Sequence, residues 1–287
     1  MAGMKDLLFR EQDPKTLEEI AELLGGEVDG KYILCPSPGR PPEDRSCCVS
    51  VNPERPGDVF IYYCEGPDGA AYRRVRAALG NLVSAPTADR SELVKRLWRD
   101  TVSANNSPVE RYLRSRQITV PIPAALRFHG CLKHPSGTWP AMVAVVSSLT
   151  DDVRAIHRTF LTAGGAKAPV RPVKMTLGPI GTGAIRLCPV ASKLIIAEGI
   201  ETALSVMQAS GIGAWSAISA VGLRTIELPP EVKHVIIAAD GDDAGERAAQ
   251  YAAWRLRKQG RIVEIAQAPR GKDFNDLLME GASWTPS

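Results

Sequence analysis

The 287-residue chain has no run of about eighteen apolar residues, which excludes a membrane-crossing helix of ordinary length. Its first residues, MAGMKDLLFREQDPK, lack the apolar core of a signal peptide, so the expected location is the cytoplasm. There are only six cysteines, scattered from Cys35 to Cys188, and they do not describe a disulfide framework. The four histidines, His129, His134, His157 and His234, stand at no ligand spacing. No G-x-x-x-x-G-K-[ST] occurs, which removes a P-loop helicase from this stretch of sequence. Internal repeats and low-complexity tracts are also missing.

What remains is ordinary globular material, 44% hydrophobic and 23% charged. The length suggests two domains or three small ones. The formal net charge of +3 conceals an asymmetry. Residues 191–287 carry ten basic and twelve acidic side chains, whereas residues 1–190 carry 25 basic and 20 acidic. An acidic excess suits a cation, and a basic excess suits a polyanion. Between Val153 and Ala197 there is no acidic residue, while Arg154, Arg158, Lys167, Arg171, Lys174, Arg186 and Lys193 all fall there. Phosphate-binding surfaces exclude acids in this way.

Three segments emerge along the chain. Residues 1–80 are punctuated by proline and glycine, with one strand pattern at 59–64 and a helical pattern at 72–79. A linker at 81–89 precedes a segment at 90–190. There, SELVKRLWRDTV reads as a helix and SPVERYLRSRQ as another, opened by Ser107 and Pro108. MVAVVSSL and AIHRTFL then pair as a hairpin. Residues 191–287 alternate apolar strands with helices: KLIIA, then a helix stopped at Gly211, GAWSAIS, HVIIAAD, a long helix stopped at Gly260, and RIVEIAQ. This rhythm predicts a four-stranded parallel, doubly wound sheet and an α/β fold.

The carboxylates fall where such a sheet binds ligands, beyond the carboxyl ends of its strands. Glu198 follows the first strand, Asp240 ends the third, and Asp242 lies two residues on. Gathered at one edge they repel one another, and a hard divalent cation, Mg²⁺ or Mn²⁺, resolves that repulsion. Asp243 is placed to cap the helix that follows.

EGIETALSV, AADGDDAGERAA and GKDFNDLL together resemble the Toprim domain, the catalytic fold of bacterial-type primases, topoisomerases and some nucleases. Their wording is similar to the primase-like branch in phage, plasmid and other mobile-element proteins. IHRTFL…PVKMTLGP…GAIRL resembles the basic segment that precedes Toprim in primases, and ERYLRSRQI followed by LRFHG resembles the opening of the primase core. The resemblance implies metal binding by Glu198, Asp240 and Asp242, with Glu198 also an acid/base. It implies contact with nucleotide or DNA phosphates by Arg158 and Lys174, and Arg171, Arg186 and Lys272 join them as candidates. Glu201, Asp273, Asn275 and Asp276 are secondary candidates. The implied activity is primer synthesis on single-stranded DNA from nucleoside triphosphates, alone or beside a separate replicative helicase. A Toprim nuclease and a catalytically silent DNA-binding module are the alternatives. Primases of this type usually begin with a zinc ribbon. Here Cys35, Cys47, Cys48 and Cys64 occupy its place, but Cys47 and Cys48 are adjacent and Cys35 has no near partner in sequence, so a degenerate ribbon without zinc is expected. Cys131 and Cys188 read as buried thiols.

Overall fold

A computed structural model describes residues 16–30, 32–37, 40–52, 55–63, 91–149 and 153–282. The chain divides into two compact units, Met1–Ala88 and Asp89–Ser287.

In the first unit, helix α1 (Leu17–Leu24) opens on a capping box between Thr16 and Glu19 and closes on Gly25 in the left-handed region. A four-stranded antiparallel sheet follows in chain order: β1 (Glu27–Asp29), β2 (Tyr32–Cys35), β3 (Cys47–Asn52) and β4 (Arg55–Tyr63). Cys47 lies directly opposite Cys35 and Cys48 opposite Leu34. Successive side chains of a strand point to opposite faces, so Cys47 and Cys48 cannot turn to one ion. Cys64, the 72–79 helical pattern and the 81–89 linker lie outside the described residues. Elemental analysis of the purified protein is expected to find well below one zinc per chain, and a chelator is expected to leave the melting temperature unmoved. Stoichiometric zinc lost on Cys35→Ser would refute this.

The second unit begins with α2 (Ser91–Arg99), β5 (Val102–Ser103) and α3 (Pro108–Ser115). Ser107 caps α3 by accepting from the Val109 N–H, with Pro108 in the first turn. Next come β6 (Leu126–His134), β7 (Gly137–Ser147), β8 (Val153–Phe160) and β9 (Lys174–Leu177), which complete an antiparallel sheet in the order β5-β6-β7-β8-β9. Alternation splits β8 between two cores. Ile156 and Phe160 pack with Val94 of α2, whereas Ala155 and the adjoining Leu161 pack toward Tyr112 and Leu113 of α3.

The second sheet comprises β10 (Ile185–Arg186), β11 (Lys193–Ala197), β12 (Ala214–Ser216), β13 (His234–Ala239) and β14 (Ile262–Gln267). Its order is β10-β12-β11-β13-β14. The four expected strands are parallel, but β10 adds a fifth, antiparallel to β12, so the sheet is five-stranded and mixed. At two residues, β10 is too short to carry a period. Ala184, just before it, bridges to Ser147 at the end of β7, so one stretch touches both sheets.

Helices α4 (Ile200–Ser210), α5 (Ala220–Thr225), α6 (Asp243–Lys258) and α7 (Phe274–Met279) complete the unit. After their first residues, Lys193 and His234, the central strands β11 and β13 are apolar throughout because both faces are covered. Leu194, Ile196, Val235 and Ile237 face the alanine stripe of α6, namely Ala248, Ala249, Ala252 and Ala253. Ile195, Ala197, Ile236 and Ala238 face Ala203 and Leu204 of α4, Phe274 of α7 and the α3 side of the first sheet. Burying one such isoleucine contributes about 1.5–3 kcal/mol. Cys131 is exposed and Cys188 half-buried, against the expectation for both: Cys131 lies at the β6 irregularity, where the ladder shifts register. Among the described residues no helix is long and apolar enough to cross a membrane.

Candidate active site

Parallel pairing of Ala197 with Ala238 brings the ends of β11 and β13 side by side, so Glu198 and Asp240 leave the sheet as neighbours. Burial pushes the Glu198 carboxyl up to about 7, and the negative charges of Asp240 and then Asp242 push in the same direction. Burial also raises Asp240, to about 6, with Asp273 and Asp242 adding to it. Thr202 Oγ1, on the first turn of α4, donates to Asp240 Oδ1 at 3.4 Å. Asp242 caps α6 by accepting from the Gly245 N–H at 2.6 Å. The cap expected at Asp243 is therefore one residue earlier, and Asp243 instead pairs with Arg270 at 2.9 Å.

Gly241, between the two aspartates, ties this turn to the next loop. Its N–H donates to Lys272 O at 2.8 Å, and the Gly271 N–H donates back to Gly241 O at 2.8 Å. A Cβ at Gly241 would overlap the carbonyl oxygen of Pro269. Gly241→Ala is thus expected to cost about 2–4 kcal/mol by forcing the two loops apart, read as a lower denaturant midpoint. An unchanged midpoint would show that the loops yield freely.

The loop after Gly271 supplies the remaining acidic candidates. Asp273 caps α7 in a reciprocal box with Asp276. Asn275 is fully buried, its Nδ2 donating to Arg116 O and Ser205 Oγ, both at 2.9 Å, while its Oδ1 has no partner among the described residues. Lys272 is held by Glu280 at 2.7 Å.

Of the basic candidates, Lys174 reaches the carboxylates. It stands at the start of β9 with its Nζ 3.0 Å from Glu201 Oε2, and its charge lowers both Glu198 and Asp240. Arg158 does not. It is 8% exposed and lies over the Phe160 ring at 5.8 Å, on the α2 face of β8. Its strand neighbour His157 faces the other way, its Nδ1 3.0 Å from Thr176 Oγ1. Burial and the Lys174 charge hold that imidazole down to about 4, hence neutral. Arg186 lies over Trp215 at 4.7 Å and donates to Ser148 O, a contact that fastens β10. Arg171 is exposed.

Family comparison divides the second unit. A family model described as a Toprim domain matches residues 193–283. Residues 193–283 are a Toprim domain. A domain of unknown function (DUF7146) matches residues 88–187. A DNA primase domain from Pseudomonas aeruginosa is similar at 15% identity, over 66% of this chain and 74% of its own, with a TM-score of 0.46. The Aquifex aeolicus primase (zinc binding and RNA polymerase domains) matches at 17% identity, over 91% of this chain and 78% of its own, with a TM-score of 0.46. The primase fragment of the bacteriophage T7 primase-helicase protein matches at 20% identity, over 55% of this chain and 64% of its own, with a TM-score of 0.41. Comparison with curated proteins finds no significant match.

The acidic edge of the Toprim domain offers hard oxygen donors whose charges already strain against one another, which suits a divalent cation. Among the described residues no three of its His, Cys, Asp and Glu side chains stand close enough to close a shell around one ion. Mg²⁺ needs fewer: it is commonly held by one or two carboxylates and keeps its waters. Glu201 is the secondary candidate whose place is most particular: it is 4% exposed and shared between Lys174 and Tyr112 of the preceding domain. Tyr112 and Thr202 carry no signal in the sequence, and Lys167 shows there only as one charge of the acid-free run. Tyr112 sits at an ordinary core spacing on α3, and nothing local ties position 112 to position 201.

Proposed function

We propose that the second unit is the catalytic core of a primase-type nucleotidyltransferase, which makes short primers on single-stranded DNA from nucleoside triphosphates. The observation that carries this reading is the meeting of the Glu198–Asp240 acidic edge with the Lys174 ammonium, supplied from opposite sides by the Toprim domain and the acid-free segment before it. Glu198, Asp240 and Asp242 would hold Mg²⁺ or Mn²⁺, and such an ion, when bound, neutralises charge on the transferring phosphate. Lys174 meets the phosphates from the basic side. In the reaction the primer 3′ hydroxyl gives up its proton, with Glu198 the candidate base, its oxygen bonds the α-phosphorus, and the bond to the leaving pyrophosphate breaks; Lys174 offsets phosphate charge that is present in the bound nucleotide and persists through the reaction. Template DNA is held through its phosphates and takes its affinity from salt-sensitive contacts. A replicative helicase would be a separate partner.

The deciding experiment offers a single-stranded template, labelled nucleoside triphosphates and either metal, and resolves the products by length. Primers that grow with time and need metal are expected. Shortening of the template without extension would make the same carboxylates those of a nuclease. Binding without either product would leave a silent DNA-binding module.

A further inference from the structure

We propose that Glu201 and Tyr112 are positioning residues, which aim the Lys174 ammonium at the phosphate side of the site; this rests on the nucleotidyl-transfer reading above. Helix α4 turns an apolar face inward, with Ile200, Ala203 and Leu204 in the core, yet Glu201 lies 4% exposed among them. An ionised carboxylate taken out of water costs several kcal/mol unless it is paired and hydrogen-bonded, and an apolar side chain of similar volume serves stability as well. Folding alone therefore gives no reason for a glutamate here.

Its two oxygens are assigned separately. Tyr112 Oη, from α3, donates to Oε1 at 2.6 Å, which fixes the rotation of the carboxylate. Lys174 Nζ, from β9, donates to Oε2 at 3.0 Å. Burial would raise the Glu201 carboxyl, but Lys174 and Tyr112 outweigh it and hold it well below the usual range, so the charge on the pair persists. A lysine stem has four rotatable bonds and about 2 kcal/mol of rotamer entropy. Tethered to Glu201, Lys174 has lost that freedom before any ligand arrives, while its side chain keeps 36% exposure toward an incoming anion.

A second cation lies within electrostatic range of the same carboxylate. Lys167 interacts electrostatically with Glu201 and Lys174. Its turn is pinned to α3 by Arg111 Nη2 donating to Ala163 O at 2.7 Å. Gly165, at φ +92, lies so close to α3 that a Cβ would meet Arg111 Cβ at 2.6 Å. One buried carboxylate thus holds one ammonium group directly and acts through its charge on a second, carried by a different segment.

The test uses a sign difference. Removing the Glu201 charge makes the site more positive, so simple electrostatics expects tighter anion binding, whereas loss of positioning expects weaker binding. Inorganic tripolyphosphate is titrated calorimetrically into the full chain, its Glu201→Gln variant and its Tyr112→Phe variant, beside melting temperatures and the KM and kcat for nucleoside triphosphates. Glu201→Gln is expected to weaken tripolyphosphate roughly tenfold, about 1.4 kcal/mol, and to raise KM in step while kcat moves little. Tyr112→Phe is expected to move both the same way by a smaller factor, and it carries the test if Glu201→Gln does not fold. Unchanged or tighter binding in the folded variants, or no binding of tripolyphosphate by the unaltered chain, would overturn the proposal. Tripolyphosphate binding that responds as expected in a protein that makes no primers would overturn the nucleotidyl-transfer reading and leave the positioning intact.

Discussion

Asp240→Asn is expected to lower metal-dependent nucleotidyl transfer by roughly 10²–10³-fold or more and, in the same sample, to raise the melting temperature of the metal-free protein at pH 8. Asp240 and Glu198 have carboxyls raised to about 6 and about 7. In the unfolded chain both titrate near 4, so between about pH 4 and 7 the folded state keeps protons that the unfolded state has released. Metal-free stability therefore falls as pH rises through that window and is lowest above it. Replacing Asp240 by the uncharged amide removes its own penalty and relieves Glu198. With both groups partly solvated, the gain is discounted to about 1–2 kcal/mol, or about 2–8 °C for a unit of this size. Added Mg²⁺ should stabilise the unaltered protein and not the variant. Full activity in Asp240→Asn, or a lower metal-free melting temperature at pH 8, would sink the metal assignment.

Lys174→Ala is expected to weaken single-stranded DNA or nucleotide binding by roughly 10–100-fold, the value of a charge-assisted hydrogen bond of about 1.5–3 kcal/mol. The slope of log K against log salt should fall by about 0.7 for each single-strand phosphate that the side chain no longer neutralises. Arg158→Ala serves as the contrast. Its guanidinium lies over Phe160 on the far face of β8, so that variant should lose stability and keep the wild-type slope. An unchanged slope in Lys174→Ala would reduce the acid-free segment to a solvated surface. A reduced slope in Arg158→Ala would mean that the side chain leaves its aromatic neighbour to reach DNA.

The contrast between these two residues marks how far sequence reading reached. Strands β11 and β13 were legible because a run covered on both faces has no polar position to disguise it. The carboxylates were legible because a parallel sheet puts every strand end at one edge. Arg158 and Lys174 look alike as charges in an acid-free stretch. What separates them is strand parity: Arg158 shares its face with Ile156 and Phe160, while Lys174 pairs across the ladder with Thr159 and faces the other way. Parity could be read from the pattern, but which face met the Toprim domain could not. Tyr112 and Glu201 lie 89 positions apart, and their bond exists only because two sheets pack through α3. The cap at Asp242 rather than Asp243 was a difference of one residue that only the φ of the turn decides.

Strand β10 lies within the match of one family model and completes the sheet of the other. The border between the two families is therefore not a seam along which the molecule comes apart. A piece beginning at residue 191 would leave β12 with an unpaired edge of backbone donors and acceptors, open to strands of other molecules. It would also strip both Tyr112 and Lys174 from Glu201 and leave that carboxylate without either of the side-chain bonds that hold it. Exchange of Toprim domains between proteins of this kind should thus carry the preceding hundred residues along, and recombination points should fall before α2 rather than at the apparent boundary.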